Sequence, residues 1–278
     1  GHPEYGDTDG VETTTGPLGQ GLATAVGMAL ANKIIDERFS TSDCSFLSTT
    51  YVLAGDGCLM EGVSAEASSF AGHLNLDNLI LLYDSNDICL DGPTSECFTE
   101  DTALRYESYG WFVQTIDGHS FDEIHHAVTQ AKAAKLPSLI IAKTVIGKGA
   151  PGLQGTSDVH GKPLGLSIAE QTKKVFGIPN DPLFYVPESV TKFFNQRLSN
   201  QRHVYNNWDA QFLSWQENNP ILAIELASWQ NPITYDQVLH ACNLNDCPSN
   251  VATRVSSSYI LQNVSDQFTN IIGGSADL

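Results

Sequence analysis

Three short runs of uninterrupted apolar residues constrain this chain more than any other feature: "TYVLAG" (50–55), "NLILLYD" (78–84) and "SLIIAKTV" (138–145). A strand with one solvated face alternates apolar and polar residues. A continuous run fits a strand covered on both faces, as in a parallel sheet. Parallel neighbours need crossover connections, and helical patterns lie between the runs.

The stretch 16–39 is long and rich in small residues, which predicts a buried helix behind a glycine-rich approach. Residues 61–74 give a helix between the first two strands. Residues 120–135 open with Ser120 and Glu123 at capping-box spacing, and Phe121, Ile124, Val128 and Ala131 mark one face. Strands alternating with helices predict an α/β domain built on a doubly wound parallel sheet. Beyond residue 150 a Gly- and Pro-rich loop precedes helices expected near 167–176 and 187–198. A surface helix in 205–230 then leads towards a linker. From about 250 the pattern reads as a new helix feeding a new strand, the start of a second α/β domain. The sequence shows no internal repeat.

Composition narrows the partners. Fourteen Lys+Arg against 32 Asp+Glu give a formal charge of −18 over 278 residues. Such a surface repels nucleic acids and anionic membranes, and neither is expected as a partner. An anionic ligand must then be met locally, by helix N-termini, a metal ion or a few placed His and Arg. Six cysteines without a CxxC pair predict reduced thiols and a cytoplasmic protein. No apolar run approaches the length of a membrane span. Both ends, "GHPEYGD" and "NIIGGSADL", are abrupt and are expected to be cut.

The first apolar run ends at Gly55-Asp56-Gly57, the second at Asp84-Ser85-Asn86. In a doubly wound sheet, ligands sit at the carboxyl ends of the strands. If these strands are neighbours, Asp56 and Asn86 face one crevice. A carboxylate, an amide oxygen and a backbone carbonyl are hard ligands, suited to Mg²⁺ or Ca²⁺ and poor for zinc. Glycines on both sides of the acid let a phosphate approach the backbone. Taken singly, GDG fits a turn and Asn86 a cap; their pairing after successive strands favours the cation.

These residues, with "GHPE" (1–4), "TTGPLGQG" (14–21), "GDGCLMEG" (55–62), "EASSFAGHL" (66–74), "VHG" (159–161) and "GGSADL" (273–278), resemble the transketolase family of thiamin-diphosphate enzymes. The motifs run in order through the whole chain, and "GHPE" with "TTGPLGQG" is more specific than the GDG. Ser85 departs from the Asn or Asp common in the wider superfamily. The resemblance implies Asp56 and Asn86 as side-chain metal ligands and Ile88 as a ligand through its carbonyl. It implies cofactor contacts from Gly16, Pro17, Leu18, Gly57, Asn86, His160 and Asp277. His2 and His160 become the catalytic histidines, both near the substrate, and Arg254 the holder of the sugar phosphate. Apart from the resemblance, Arg254 equally suits a surface ion pair. Glu61 is a lesser candidate, matching a residue beside the cofactor at a subunit interface. His73, His125 and His126 lie in helical patterns and read as surface or packing residues.

The implied activity is transfer of a two-carbon ketol unit from a ketose phosphate to an aldose phosphate, with thiamin diphosphate and Mg²⁺ or Ca²⁺ as cofactors. The implied assembly is a homodimer with the cofactor at the subunit interface. A dihydroxyacetone synthase-like transferase using formaldehyde shares nearly every motif. A noncatalytic thiamin-diphosphate-binding subunit is the alternative from another class, and deoxyxylulose-phosphate synthase fits the "GHPE" and "VHG" contexts less well. The expected domains are a diphosphate- and metal-binding domain (1–215), a linker (216–249) and the start of a pyrimidine-binding domain (250–278). The chain alone is expected not to turn over.

Overall fold

A computed structural model describes residues 3–274. The chain divides into two compact units, Gly1–Asn207 and Trp208–Leu278.

In the first unit, helix α1 (Gln20–Phe39) precedes strand β1 (Thr50–Gly55). Helices α2 (Asp56–Met60) and α3 (Gly62–His73) then lead to β2 (Leu79–Ser85). Helix α4 (Thr102–Ser108), β3 (Phe112–Asp117), α5 (Phe121–Ala133) and β4 (Ser138–Lys143) follow. The four strands form one sheet in the order β1-β2-β4-β3, with every pairing parallel.

Side-chain alternation along the strands separates two cores. Leu79, Leu81 and Tyr83 of β2 face a cluster with Leu22, Val26 and Ala29 of α1, Ala71 of α3 and Tyr106 of α4. Ile80 and Leu82 face the other way, onto Ala127, Val128 and Ala131 of α5. Helices on both faces make the sheet doubly wound, as the apolar runs predict. The middle strands β2 and β4 account for that signal, since most of their residues are buried. β1 departs from it. As an edge strand it is covered on one face only, and Leu53 is 78% exposed.

Strand β3 was not among the sequence expectations. Its run "FVQTID" mixes polar residues with apolar ones, and at the other sheet edge it is at most half-buried. On α5 the packing face is Ile124, Ala127, Val128 and Ala131, while Phe121 at the helix start is 89% exposed. The capping box is partly realised: Ser120 Oγ accepts from Glu123 N, while the Glu123 carboxylate accepts from Asp117 N.

Helix α6 (Leu166–Val175) agrees with its predicted span. The helices expected at 187–198 and 205–230 are instead one 31-residue helix, α7 (Glu188–Asn218), followed by α8 (Pro220–Gln230). Asn219 and Pro220 mark the break, with Pro at the first helical position, where its missing N–H costs nothing.

The second unit also holds α9 (Tyr235–Ala241) and α10 (Thr253–Gln267). The expected linker 216–249 is therefore largely helical, and Thr234 and Gln237 close a full capping box at α9. The helix expected from about 250 is present. Among the described residues no strand follows it.

Candidate functional site

Register brings the two motif-bearing strand ends together. Gly55 pairs with Asp84 at the carboxyl edge of the sheet, so Asp56 and the Ser85-Asn86 turn leave neighbouring strands side by side. Asp56 is only 4% exposed. Its Oδ1 accepts from the Tyr83 hydroxyl at 2.5 Å, and its Oδ2 accepts from Asn86 N at 3.3 Å. Burial pushes the Asp56 carboxyl above the ordinary carboxylate range, and the nearby charges of Asp87 and Asp84 push the same way; the two hydrogen bonds oppose this. The Tyr83 phenol is pushed up too, first by burial and then by the carboxylate it serves.

The next turn presents oxygen atoms. Asn86 Oδ1 accepts from Ile88 N at 3.1 Å. Asp87 takes a left-handed conformation (φ 63°), which Asp tolerates better than most residues. Ile88 pairs with Pro93 in an isolated antiparallel bridge; among the described residues no backbone amide donates to the Ile88 carbonyl. Lys143, at the end of β4, donates to Ser85 Oγ at 2.8 Å and lies 3.4 Å from Asp87 Oδ1. A cleft of about 260 Å³ opens here, lined by Asp56, Tyr83, Ser85, Asp87, Thr94 and Lys143 among others.

These residues fit a divalent cation. The buried acid carries a desolvation cost, and two further carboxylates raise the local negative charge, which a cation would relieve. Among the described residues no group of three or more His, Cys, Asp or Glu is arranged for a metal. A cation at this corner would thus draw on amide and backbone oxygens beside Asp56, and Asn86 and Ile88 carry them. Such a donor set suits a hard ion that keeps water or phosphate oxygens.

The glycine-rich approach to α1 joins the same corner. A Cβ on Gly57 would lie 3.2 Å from Leu18 Cδ1, so the absence of a side chain lets residue 18 close on the turn. Gly19 caps α1 at φ 80°, and a Cβ there would lie 2.8 Å from Glu61 Cβ and 2.9 Å from Ser64 Oγ. Both a left-handed backbone and lack of space require glycine at that position. The Gly16-Pro17-Leu18 segment is thereby seated beside Asp56-Gly57, with Glu61 behind it.

His160 follows a 3-10 turn, Ser157–Val159, in the loop after β4. Its Nδ1 is buried and has no hydrogen-bond partner among the described residues. The loop is folded on itself: Gly155 N donates to Ile146 O at 2.8 Å, and Val159 packs where Gly147 has no side chain. His119 Nε2 accepts from Val145 N at 2.9 Å and ties down the loop's start. His125 and His126 are exposed on α5, as expected of surface residues.

Arg254 stands in the first turn of α10 in the second unit and forms no salt bridge among the described residues. Among the described residues, the surface ion pair that would otherwise explain it is absent. His2 and Asp277 lie outside the described residues. Two site residues escaped sequence reading. Tyr83 was hidden inside an apolar run, although its spacing puts it on one face with Leu81. Lys143 showed only as the polar end of a strand.

Residues 1–232 match the family described as "Transketolase, thiamine diphosphate binding domain". The transketolase of Staphylococcus epidermidis is 44% identical over 284 residues, spanning 100% of this chain and 42% of that protein. A crystal structure of a transketolase mutant from Pichia stipitis superposes with a TM-score of 0.89 at 39% identity, covering 99% of this chain and 41% of the other. A transketolase from the same species in complex with sedoheptulose 7-phosphate gives 0.86 at 38% identity, with coverage of 99% and 41%. The chain spans about two-fifths of the length of the curated relatives it matches. The chain belongs to the thiamine diphosphate-binding domain family of transketolases.

Proposed function

We propose that the corner between β1 and β2 binds the diphosphate of thiamin diphosphate through a Mg²⁺ or Ca²⁺ ion. The protein then acts as a transketolase, moving a two-carbon ketol unit from a ketose phosphate to an aldose phosphate. One observation carries this reading: a buried carboxylate, Asp56, ends one strand and accepts from the backbone of Asn86 at the end of its neighbour.

Asp56 and Asn86 hold the cation with their side chains, and Ile88 with its carbonyl. Gly16, Pro17, Leu18 and Gly57 line the path of the cofactor, where a larger residue at 57 would meet Leu18. When bound, thiamin diphosphate supplies a carbon nucleophile and an electron sink. The protein's own part is to bind and orient. His160, whose buried Nδ1 has no partner among the described residues, donates to a diphosphate or substrate oxygen. His2 meets the donor sugar, Arg254 its phosphate, and Asp277 the cofactor. That a relative was crystallised with sedoheptulose 7-phosphate supports sugar phosphates as the substrate class.

In this reading residues 1–215 form the diphosphate-binding domain, 216–249 connect, and 250–278 begin the pyrimidine-binding domain. The assembly is a cytoplasmic homodimer with the cofactor between subunits. Among the described residues no helix is long and apolar enough to cross a membrane.

The test is to supply the complete enzyme that contains this chain with xylulose 5-phosphate and ribose 5-phosphate, in the presence of thiamin diphosphate and Mg²⁺. A seven-carbon ketose phosphate is the expected product. Transfer to formaldehyde in preference to ribose 5-phosphate would reassign the acceptor. Cofactor binding that ignores the metal would contradict the reading of the corner.

A further inference from the structure

The turn between β3 and α5 lies against the exit of β4, away from the cation corner. Gly118 N donates to Lys143 O at 2.8 Å. A Cβ on Gly118 would lie 2.5 Å from Thr144 Cγ2 and 3.0 Å from Ala142 Cβ, so the turn is pressed onto the strand. Its own shape is fixed by Ser120 N donating to Asp117 O at 3.0 Å and His119 N to Asp117 Oδ1 at 2.8 Å. Val145, where the chain leaves β4, has no backbone acceptor for its amide among the described residues. That amide donates instead to His119 Nε2 at 2.9 Å, so an imidazole takes the place of a carbonyl. Val145 opens the loop that ends on His160, and the loop transmits what happens there. Lys148 N donates to Val145 O at 3.2 Å, and a Cβ on Gly147 would lie 2.8 Å from Val159 Cγ2. A shift at Val145 therefore passes through Gly147 to Val159 and its neighbour His160.

We propose that His119 is a positioning residue: its neutral imidazole latches the loop 145–160, and with it His160, and a proton on Nε2 opens the latch. An amide N–H can only donate, so Nε2 is the bare nitrogen and the proton of the neutral ring sits on Nδ1. In the imidazolium both nitrogens are donors, and Val145 N then faces a donor in place of its acceptor. The charged side chains on the elements meeting here are Asp117 of β3, Asp122 and Glu123 of α5, Lys143 of β4 and Lys148 of the loop. Glu123 accepts from Asp117 N, and Lys143 turns away to Ser85 and Asp87. His125 and His126, farther along α5, are exposed. Among the described residues no other side chain accepts from Val145 N, so the latch stands on His119 alone. Its consequence for catalysis rests on the role proposed for His160.

The experiment follows amide hydrogen exchange by mass spectrometry in the complete enzyme that contains this chain, without cofactor, for wild type, His119→Ala and His119→Gln. The Gln side-chain oxygen reaches about as far as Nε2 and accepts at every working pH. In His119→Ala the peptides covering 145–160 should exchange roughly 3- to 10-fold faster, the worth of one hydrogen bond. His119→Gln should restore the wild-type rate. From about pH 8 to about pH 5, the range in which histidine changes charge, wild type should lose this protection relative to the intrinsic exchange rate. His119→Gln should keep it. The proposal is overturned if His119→Ala protects the loop as well as wild type, or if His119→Gln behaves as His119→Ala. It is equally overturned if His119→Gln loses protection in acid as wild type does, or if β3 and α5 open together with the loop in His119→Ala. The exchange needs neither cofactor nor turnover. A latch that behaves as expected in an enzyme whose cofactor binding ignores the metal would stand while the reading of the corner fell.

Discussion

Replacing Asp56 by Asn removes one negative charge from the corner while keeping the shape of the side chain. At 4% exposure Asp56 belongs with buried charge partners rather than surface ones. Losing one partner of a buried pair costs about 3–5 kcal/mol, against about 0.2–1 kcal/mol for an exposed pair. Taking about 3 kcal/mol, affinity for the cation and its diphosphate falls roughly 150-fold. With ligand at about 100 times the wild-type Kd, binding stabilises the wild-type fold by about 2.7 kcal/mol. The same concentration then stabilises Asp56→Asn by only about 0.3 kcal/mol. For a unit of 207 residues, Gly1–Asn207, each kcal/mol moves Tm by about 2–4 °C. The ligand-induced shift should therefore fall from about 5–10 °C to about 1 °C. Without ligand the two proteins should melt within a few degrees of each other. The amide oxygen still accepts from Tyr83, only the bond from Asn86 N is lost, and a buried charge is gone. The assay is thermal unfolding with and without Mg²⁺ and thiamin diphosphate. An undiminished ligand shift in the variant would refute the assignment of Asp56.

Gly72 on α3 leaves no room for a methyl group, since a Cβ would lie 1.9 Å from the Tyr109 carbonyl oxygen; Gly72→Ala should lower stability by about 1–3 kcal/mol or more in a denaturant titration. Tyr106 is fully buried, which pushes its phenol above the ordinary value of 10.0. The stability this contributes is fully present below pH 10.0 and is lost as pH rises through the folded-state value. Tyr106→Phe, which loses the bond from Ser68 Oγ, should cost about 1 kcal/mol at pH 7. Its deficit against wild type should shrink above pH 10.0, and a widening gap in urea midpoints would contradict this. In the complete enzyme, Arg254→Ala should weaken use of phosphorylated sugars by about 1.5–3 kcal/mol in kcat/KM and spare unphosphorylated ones; equal losses on both would remove Arg254 from the phosphate site.

Legibility in the sequence followed burial. β2 and β4 announced themselves because both of their faces are covered, so each carries an unbroken apolar stretch, Leu79–Tyr83 and Leu139–Ala142. β3 stayed hidden because an edge strand tolerates Gln114 and Thr115. The break at Asn219-Pro220 went unread although a proline stands there, and the long α7 was split in two because its Asn- and Gln-rich surface imitates a loop. At the site, Asp56 stood out because an acid between glycines is unusual at the end of a buried strand. Its partnership with Asn86 depended on strand order, which motif spacing suggests and only the pairing of β1 with β2 realises. Tyr83 was invisible for the opposite reason: its ring satisfies an apolar run, and its hydroxyl matters only once Asp56 is beside it. Leu18 against Gly57 is a contact between distant segments, and no local pattern encodes it.

The most direct test of the central claim is a crystal of the protein grown with Ca²⁺ and thiamin diphosphate, measured for anomalous scattering from the calcium. One strong peak is expected at the carboxyl ends of β1 and β2, with Asp56, Asn86 Oδ1 and the Ile88 carbonyl at about 2.3–2.6 Å from it. The remaining positions should be filled by water and diphosphate oxygens. A cofactor bound with its diphosphate elsewhere, or a calcium that leaves Asp56 bonded only to Tyr83 and Asn86 N, would contradict the account.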